Sequence, residues 1–294
     1  MKLLRAATLT TPDPEMTAAR YAEWLDYSII DRGVVEAGLA ESWGCPGSAG
    51  KAYVVAQPAS GADVYLRFVQ GDGHRDYRPL RTFGWAAIEI CVQDVLKVNE
   101  RMERSPFEII GPPKQLDGMP TIFPMQVKGP DGEIVYLTEI RGDLPAYDLP
   151  RAGSLIDKLF ILVMGCSDLR ASLDWFKDHV GLEFGRELDI IYTMLNQAFD
   201  LPMDDKHTIV TGVHERDVFL EFDQYPESAT PRPGPAGELS PGIALCTLKH
   251  PEFDSVKGPW ITEPVRRDGP VYGGGRVGTL RAPDGTLVEI VEIV

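Results

Sequence analysis

Gly129-Pro130-Asp131-Gly132 leads into residues 133–140, EIVYLTEI, and Ala282-Pro283-Asp284-Gly285 leads into residues 286–293, TLVEIVEI. Each is a Pro-Asp-Gly turn feeding a run of alternating apolar residues. Proline presets φ at the second turn position, and glycine takes the positive φ at which a side chain would clash. Pro130 and Pro283 stand 153 residues apart, about half the chain length, so the other half-chain echoes decide whether the sequence is duplicated. Asp63-Val-Tyr-Leu-Arg-Phe68 returns as Asp217-Val-Phe-Leu-Glu-Phe222, 154 residues on. Leu9-Thr-Thr-Pro-Asp13 returns as Met164-Gly-Cys-Ser-Asp168, and Gly84-Trp-Ala-Ala-Ile-Glu-Ile as Gly242-Ile-Ala-Leu-Cys-Thr-Leu. Four echoes in one order at nearly one offset describe a tandem duplication.

A chain of 294 residues has room for two domains, each with its own core. Its 44% hydrophobic and 25% charged content is that of a water-soluble globular protein. The sequence has no apolar run near the length of a membrane span, and residues 1–5 lack the apolar core of a signal peptide. Cys45, Cys91, Cys166 and Cys246 show no metal-type spacing, and Cys91 and Cys246 fall inside apolar strands. A reduced, cytoplasmic setting is therefore the expectation. A net charge of −15 argues against nucleic acid, because phosphate binding needs clustered Lys and Arg. Two basic islands reverse the balance locally: residues 74–78 with Arg81, and Arg266-Arg267 with Arg276. They read as solvated loops or as a rim for an anionic group.

Taken in order, residues 3–11 read as a strand, followed by a helix capped by Thr11 or Asp13. Strands then extend to Phe68, broken at 44–50 and 58–61. Strand 84–92 leads into a helix from Asp94 through Met102, and further strands run from 107 to 140. Residues 141–154 read as a linker between domains at 1–145 and 155–294. In the second half, strand 158–165, helix 168–178 and strand 182–188 precede residues 190–205, which have no counterpart in the first half. Their Tyr192, Met194, Leu195, Ala198 and Phe199 recur at near-helical spacing, as extra core or as a wall over a cavity. A hairpin (207–213 and 217–222), a Pro-rich loop (226–241), strand 242–248, a short helix near 252–256 and closing strands complete the chain.

The strand–Asp–aromatic-helix start at 161–176, the Gly-strand-Asp-Val run at 84–95 and the terminal Pro-Asp-Gly-x-x-x-Glu at 283–289 resemble the vicinal oxygen chelate superfamily. That group includes glyoxalase I, extradiol dioxygenases and bleomycin-resistance proteins. The resemblance implies an α+β fold of two tandem domains, each of paired βαβββ modules forming a curled mixed sheet around a ligand-binding cup. It also implies that metal-dependent members hold a cation at four strand positions. Carried onto this sequence, these fall on Ile161, Glu221, Ile243 and Glu289 in one cup, and on Ala6, Arg67, Ala87 and Tyr136 in the other.

None of the eight is histidine, whereas a catalytic divalent metal needs about three protein ligands and an open position. No metal or other cofactor is therefore expected; an atypical metal set would be Glu221, Glu289 and His207. The pair Glu221 and Glu289, with His207 as a third member, reads as a general acid and base, because like charge and burial raise a carboxyl pKa. The alternative has these glutamates facing outward, paired with Arg216 or Arg276. Tyr192, Met194, Ile161, Ile243, Arg276, Arg67 and Tyr136 are the candidate substrate contacts, with Arg67 binding a carboxylate or else pairing with Glu89 or Asp63. The expectation is an isomerase or lyase acting on a small, mostly apolar, aromatic or oxygenated organic acid. A non-catalytic protein that sequesters small molecules and an atypical metal enzyme are the alternatives. The partner is a small molecule rather than nucleic acid or membrane, with a homodimer as the candidate assembly.

Overall fold

A computed structural model describes residues 3–116 and 118–293. Met1 and Lys2, part of the segment read as lacking a signal-peptide core, and Val294 lie outside them. The chain is four consecutive modules built as strand, helix and further strands, the fourth carrying a single 3-10 turn (Phe253–Ser255) where the others carry an α-helix. The first comprises β1 (Leu4–Thr11), α1 (Pro14–Trp24), β2 (Tyr27–Val34), a short helix α2 (Ala37–Ser42), β3 (Ala52–Pro58) and β4 (Tyr65–Gln70). The second has β5 (Gly84–Val92), α3 (Val95–Met102), β6 (Glu108–Gly111), β7 (Ile122–Lys128) and β8 (Ile134–Ile140). The third has β9 (Ile156–Cys166), α4 (Leu169–Val180), β10 (Glu183–Phe184), β11 (Leu188–Ile191), α5 (Thr193–Ala198), β12 (Lys206–His214) and β13 (Asp217–Gln224). The fourth has β14 (Gly242–His250), β15 (Val265–Arg266), β16 (Arg276–Arg281) and β17 (Leu287–Glu292). No helix among the described residues is long and apolar enough to cross a membrane.

The helix starts follow from local chemistry. Asp13, Asp94 and Asp168 each precede a helix in extended conformation and accept hydrogen bonds from backbone N–H groups of the first turn. At α4, Asp168 Oδ1 accepts from Ala171 N at 2.9 Å, and Gly181, at φ +72°, ends the helix in the left-handed region. Asp168→Ala is expected to cost about 1 kcal/mol, read in thermal denaturation as a fall of about 2–4 °C in Tm.

The modules form two mixed sheets, but the sheets do not follow the halves of the sequence. One runs β15-β16-β17-β14-β1-β4-β3-β2 and so joins the first module to the fourth. The other runs β10-β12-β13-β9-β5-β8-β7-β6 and joins the second to the third. The seams are antiparallel, β1 with β14 and β5 with β9. One face of each sheet enters a common core, where Leu66, Phe68, Ile88, Ile90, Leu162 and Phe222 meet Tyr21 of α1, Val98 of α3 and Phe176 of α4. Each opposite face carries its own cluster and forms a cup: cup A on the first sheet and cup B on the second.

The two Pro-Asp-Gly turns tie one sheet to the other. Asp131 accepts hydrogen bonds from Thr11 Oγ1 at 2.9 Å, from Thr17 Oγ1 and from Arg20, at the first strand–helix corner. Asp284 does the same at the third module's corner, taking Ser167 N at 3.0 Å and Ser167 Oγ at 2.6 Å. All four cysteines are buried and unpaired.

Candidate functional site

The crossed pairing redistributes the expected site residues. Glu289, on β17, lies in cup A, and Glu221, on β13, lies in cup B, so the two glutamates do not form a pair. Arg67 and Tyr136 are likewise separated, Arg67 joining Ala6 and Glu289, and Tyr136 joining Ala87, Ile161 and Glu221.

The centre of cup A holds a buried ion pair, bordering a cavity of about 300 Å³ lined by Arg67, Trp43 and Tyr272. The Glu289 side chain is fully buried and accepts hydrogen bonds from Trp43 Nε1 (2.7 Å), Thr247 Oγ1 (2.8 Å), Tyr272 OH (3.1 Å) and Arg67 Nη2 (3.2 Å). The Arg67 guanidinium also donates to Thr8 Oγ1 and to the Tyr272 hydroxyl, and stacks on Trp43 at 4.7 Å. Arg67 is therefore committed to Glu289, and a substrate carboxylate would have to displace it. Trp43 follows α2, a helix that the strand reading of residues 34–68 missed. Tyr272 precedes Gly273-Gly274-Gly275, and its ring is buried in the cup.

Two further expected contacts fall away for local reasons. Ile243 turns into the common core rather than the cup, because an extra residue in β14 breaks the alternation: Thr8 pairs with Leu245 but Leu9 pairs with Ile243. A one-residue bulge exchanges the two faces of a strand. Arg276 is held by Glu292 at 2.8 Å and by Asp254 at 2.9 Å, at the end of the first sheet.

Cup B contains a cavity of about 520 Å³. Its walls are largely apolar, including Ile161, Tyr136, Ile209 and Tyr192, and Leu144, Tyr147 and Leu149 from the segment read as a linker. Glu89 and Glu221 reach its floor from the strands on either side of β9, where Glu89 pairs with Ile161 and Glu221 with Val163. Glu89 accepts from Thr138 Oγ1, and Glu221 accepts from Tyr192 OH at 3.2 Å. Behind Glu221, the buried Asp223 shares a hydrogen bond with it. Among the described residues, neither glutamate is paired with a basic side chain. Burial, with the charge of Glu221 next, pushes the Glu89 carboxyl up to about 8. Burial likewise raises Glu221 to about 7, opposed by its hydrogen bonds to Tyr192 and Asp223. Asp223 is raised well above the usual carboxylate range by burial and then by Glu221 and Glu89.

The unused candidates have structural places. His207 lies four residues along β12 from Thr211, the residue that pairs with Glu221, and its Nε2 contacts Asn196 Oδ1 at 2.5 Å. It fastens α5 to the sheet, and burial lowers its pKa. Met194 is buried in the cup B cluster and lines a neighbouring cavity. Glu89 had a signal in sequence that was not followed. It is a lone charge in the apolar run Trp85-Ala-Ala-Ile-Glu-Ile-Cys91, two residues from Ala87 and so on the same strand face.

The donor set fits a catalytic metal poorly. The cup A position is filled by a guanidinium, and in cup B the two glutamates stand beside Ile161 and Tyr136. The set Glu221, Glu289 and His207 is not assembled, since Glu289 belongs to the other sheet and His207 to Asn196. Among the described residues, no three His, Cys, Asp or Glu side chains are grouped to hold an ion.

The carboxyl shifts have a consequence for stability. Both glutamates titrate near 7 to 8 when folded, against 4.5 for the free group, so the folded chain holds more protons than the unfolded one in that range. Their contribution is whole below about pH 4.5 and is lost as pH rises through 7 and 8. Glu89→Gln is expected to flatten the fall in Tm between about pH 6 and 9, leaving residual slope of the same sign from Asp223 and Glu133. A Tm–pH curve unaltered by the substitution would contradict the burial of an unpaired carboxyl here.

No protein-family model and no curated protein matches the sequence. Among solved structures, glyoxalase I from Zea mays superimposes with a TM-score of 0.65 at 17% identity, covering 99% of this chain and 92% of that one. A putative dioxygenase from Bacillus subtilis subsp. subtilis str. 168 gives 0.63 at 13% identity, covering 99% and 86%. At such identities the likeness is one of fold. With its four modules paired into two curled sheets, the chain has the vicinal oxygen chelate fold.

Proposed function

We propose that the chain is a proton-transfer enzyme, an isomerase or lyase, acting on a small, mostly apolar, oxygenated compound bound in cup B. The observation that carries this reading is the cavity floor: two carboxyls, Glu89 and Glu221, raised toward neutrality and unpaired with any basic side chain among the described residues. Near pH 7 to 8 such a pair holds about one proton between them. Glu89, the more strongly raised, donates a proton to a substrate carbonyl oxygen. Glu221 removes a proton from the adjacent carbon, and the C–H electron pair becomes the C=C of an enol. With a hydroxyl on that α-carbon the product is an enediol. Returning the proton to the former carbonyl carbon, as the α-hydroxyl loses its own to Glu89, completes an isomerisation. With a leaving group on the next carbon, the enol returns its hydroxyl proton to Glu89 and re-forms the carbonyl as that group departs with its electron pair, completing an elimination. Tyr192, hydrogen-bonded to Glu221, orients the base.

The substrate's acidic group, expected earlier to meet Arg67, has no such partner in cup B; the basic side chain on that cavity is Arg186 at its mouth. The test is solvent-deuterium incorporation at the α-carbon of a panel of neutral ketones, followed by proton NMR for the wild type and Glu221→Gln. Incorporation by the wild type that is lost in the variant supports the reading. Binding without incorporation assigns the chain to sequestration instead.

A further inference from the structure

A second cavity of about 290 Å³ adjoins the one in cup B. Both are lined by Leu116, Pro124, Gln126, Ile190 and Tyr192, which stand between them. Gln126 is part of this partition. Its amide makes no hydrogen bond among the described residues, and it packs into the space left by Gly111, where an added Cβ would strike Gln126 Oε1. Beyond the partition the walls continue with Ile110, Ile191, Met194 and Met203. At the closed end stand Glu89 and Glu221, neither paired with a basic side chain among the described residues.

From this geometry we infer that cup B takes an elongated ligand: an uncharged oxygenated head against Glu89 and Glu221, and a chain-like apolar tail passing Gln126 into the second cavity. The inference rests on the proposed use of Glu89 and Glu221 for the head, and names the class of molecule. A carboxylate head would meet like charge, whereas a carbonyl can accept from a protonated carboxyl. The tail gains by leaving water, at about fourfold in affinity per methylene.

The experiment is calorimetric binding of the methyl ketones from butan-2-one to dodecan-2-one to the wild type and to Gln197→Trp. Gln197 is exposed and lines only the second cavity, so tryptophan there fills that space without touching the floor. In the wild type, Kd is expected to fall about fourfold per methylene along the series. In the variant, the short ketones keep their Kd, which also reports that the cup is folded, while decan-2-one and dodecan-2-one weaken at least tenfold. Decanoate is expected to bind the wild type at least tenfold more weakly than decan-2-one. Superimposable series for the two proteins, an early plateau in the wild type, decanoate binding as tightly as the ketone, or no binding by any member overturns the inference. Chain-length-dependent binding without deuterium exchange leaves this inference standing and sinks the proton-transfer reading alone.

Discussion

Replacing Glu289 by alanine is expected to lower the free energy of unfolding by about 3–5 kcal/mol, the range for removing one partner of a buried ion pair. The carboxylate is fully buried and satisfies four donors, so its loss strands Trp43, Thr247 and Tyr272 and leaves the Arg67 guanidinium uncompensated inside cup A. Each stranded neutral donor adds a smaller desolvation cost of the same sign. The double substitution Arg67→Met with Glu289→Leu removes both charges and fills similar volume. It is expected to recover most of the loss, as paired apolar replacements of buried ion pairs commonly do. Urea denaturation of the wild type, the single and the double variant measures this. A single variant within about 0.5 kcal/mol of the wild type, or a double variant less stable than Glu289→Ala, would show that the pair is not the keystone of cup A. Ketone binding in cup B is expected to survive both substitutions, because Glu289 lies in the other sheet.

Glu221→Gln is expected to reduce deuterium exchange by about 10²–10⁴-fold, the usual contribution of a positioned general base, with ketone binding retained within a few-fold. Glutamine keeps the shape and can still accept from Tyr192, but it cannot take a proton near neutrality. The wild-type rate should follow a bell over pH, rising as the site loses its first proton near 7 and falling as it loses the second near 8. These apparent values belong to the coupled site rather than to either residue alone. Glu221→Gln removes the acid limb, while Glu89→Gln removes the alkaline limb and leaves a rate that no longer falls above pH 8. A flat profile in the wild type, or equal rates in wild type and Glu221→Gln, would rule out carboxyl-mediated proton transfer in cup B.

Much of the architecture was legible because it is written in short-range chemistry. The Pro-Asp-Gly turns, the aspartate caps and the alternation of β8 and β17 each act within a few residues, and they recur at half the chain length. The contents of a cup are a longer-range matter. Ile161 and Tyr136, positions taken from the family resemblance and assigned to different cups, both line the cup B cavity, while Ile243 was lost to a bulge that leaves no mark in composition. Trp43 and Tyr272 were passed over because each precedes or follows glycine-rich sequence that reads as loop. Both are fixed by Glu289, more than 15 residues away from either in the chain.

The sequence by itself carried the duplication and the strand–helix–strands order of the modules, though it left out α2, and it shows no histidine at the positions that the resemblance assigns to a metal. Only the tertiary structure decided which modules share a sheet. Duplicated modules offer nearly equivalent strand edges, so local pattern does not choose between joining the first to the second and joining the first to the fourth. That choice rests on the total burial achieved when β1 meets β14 and β5 meets β9. It turned two glutamates expected to face each other into a structural ion pair in one cup and, with Glu89, a pair of buried carboxyls on the cavity floor of the other.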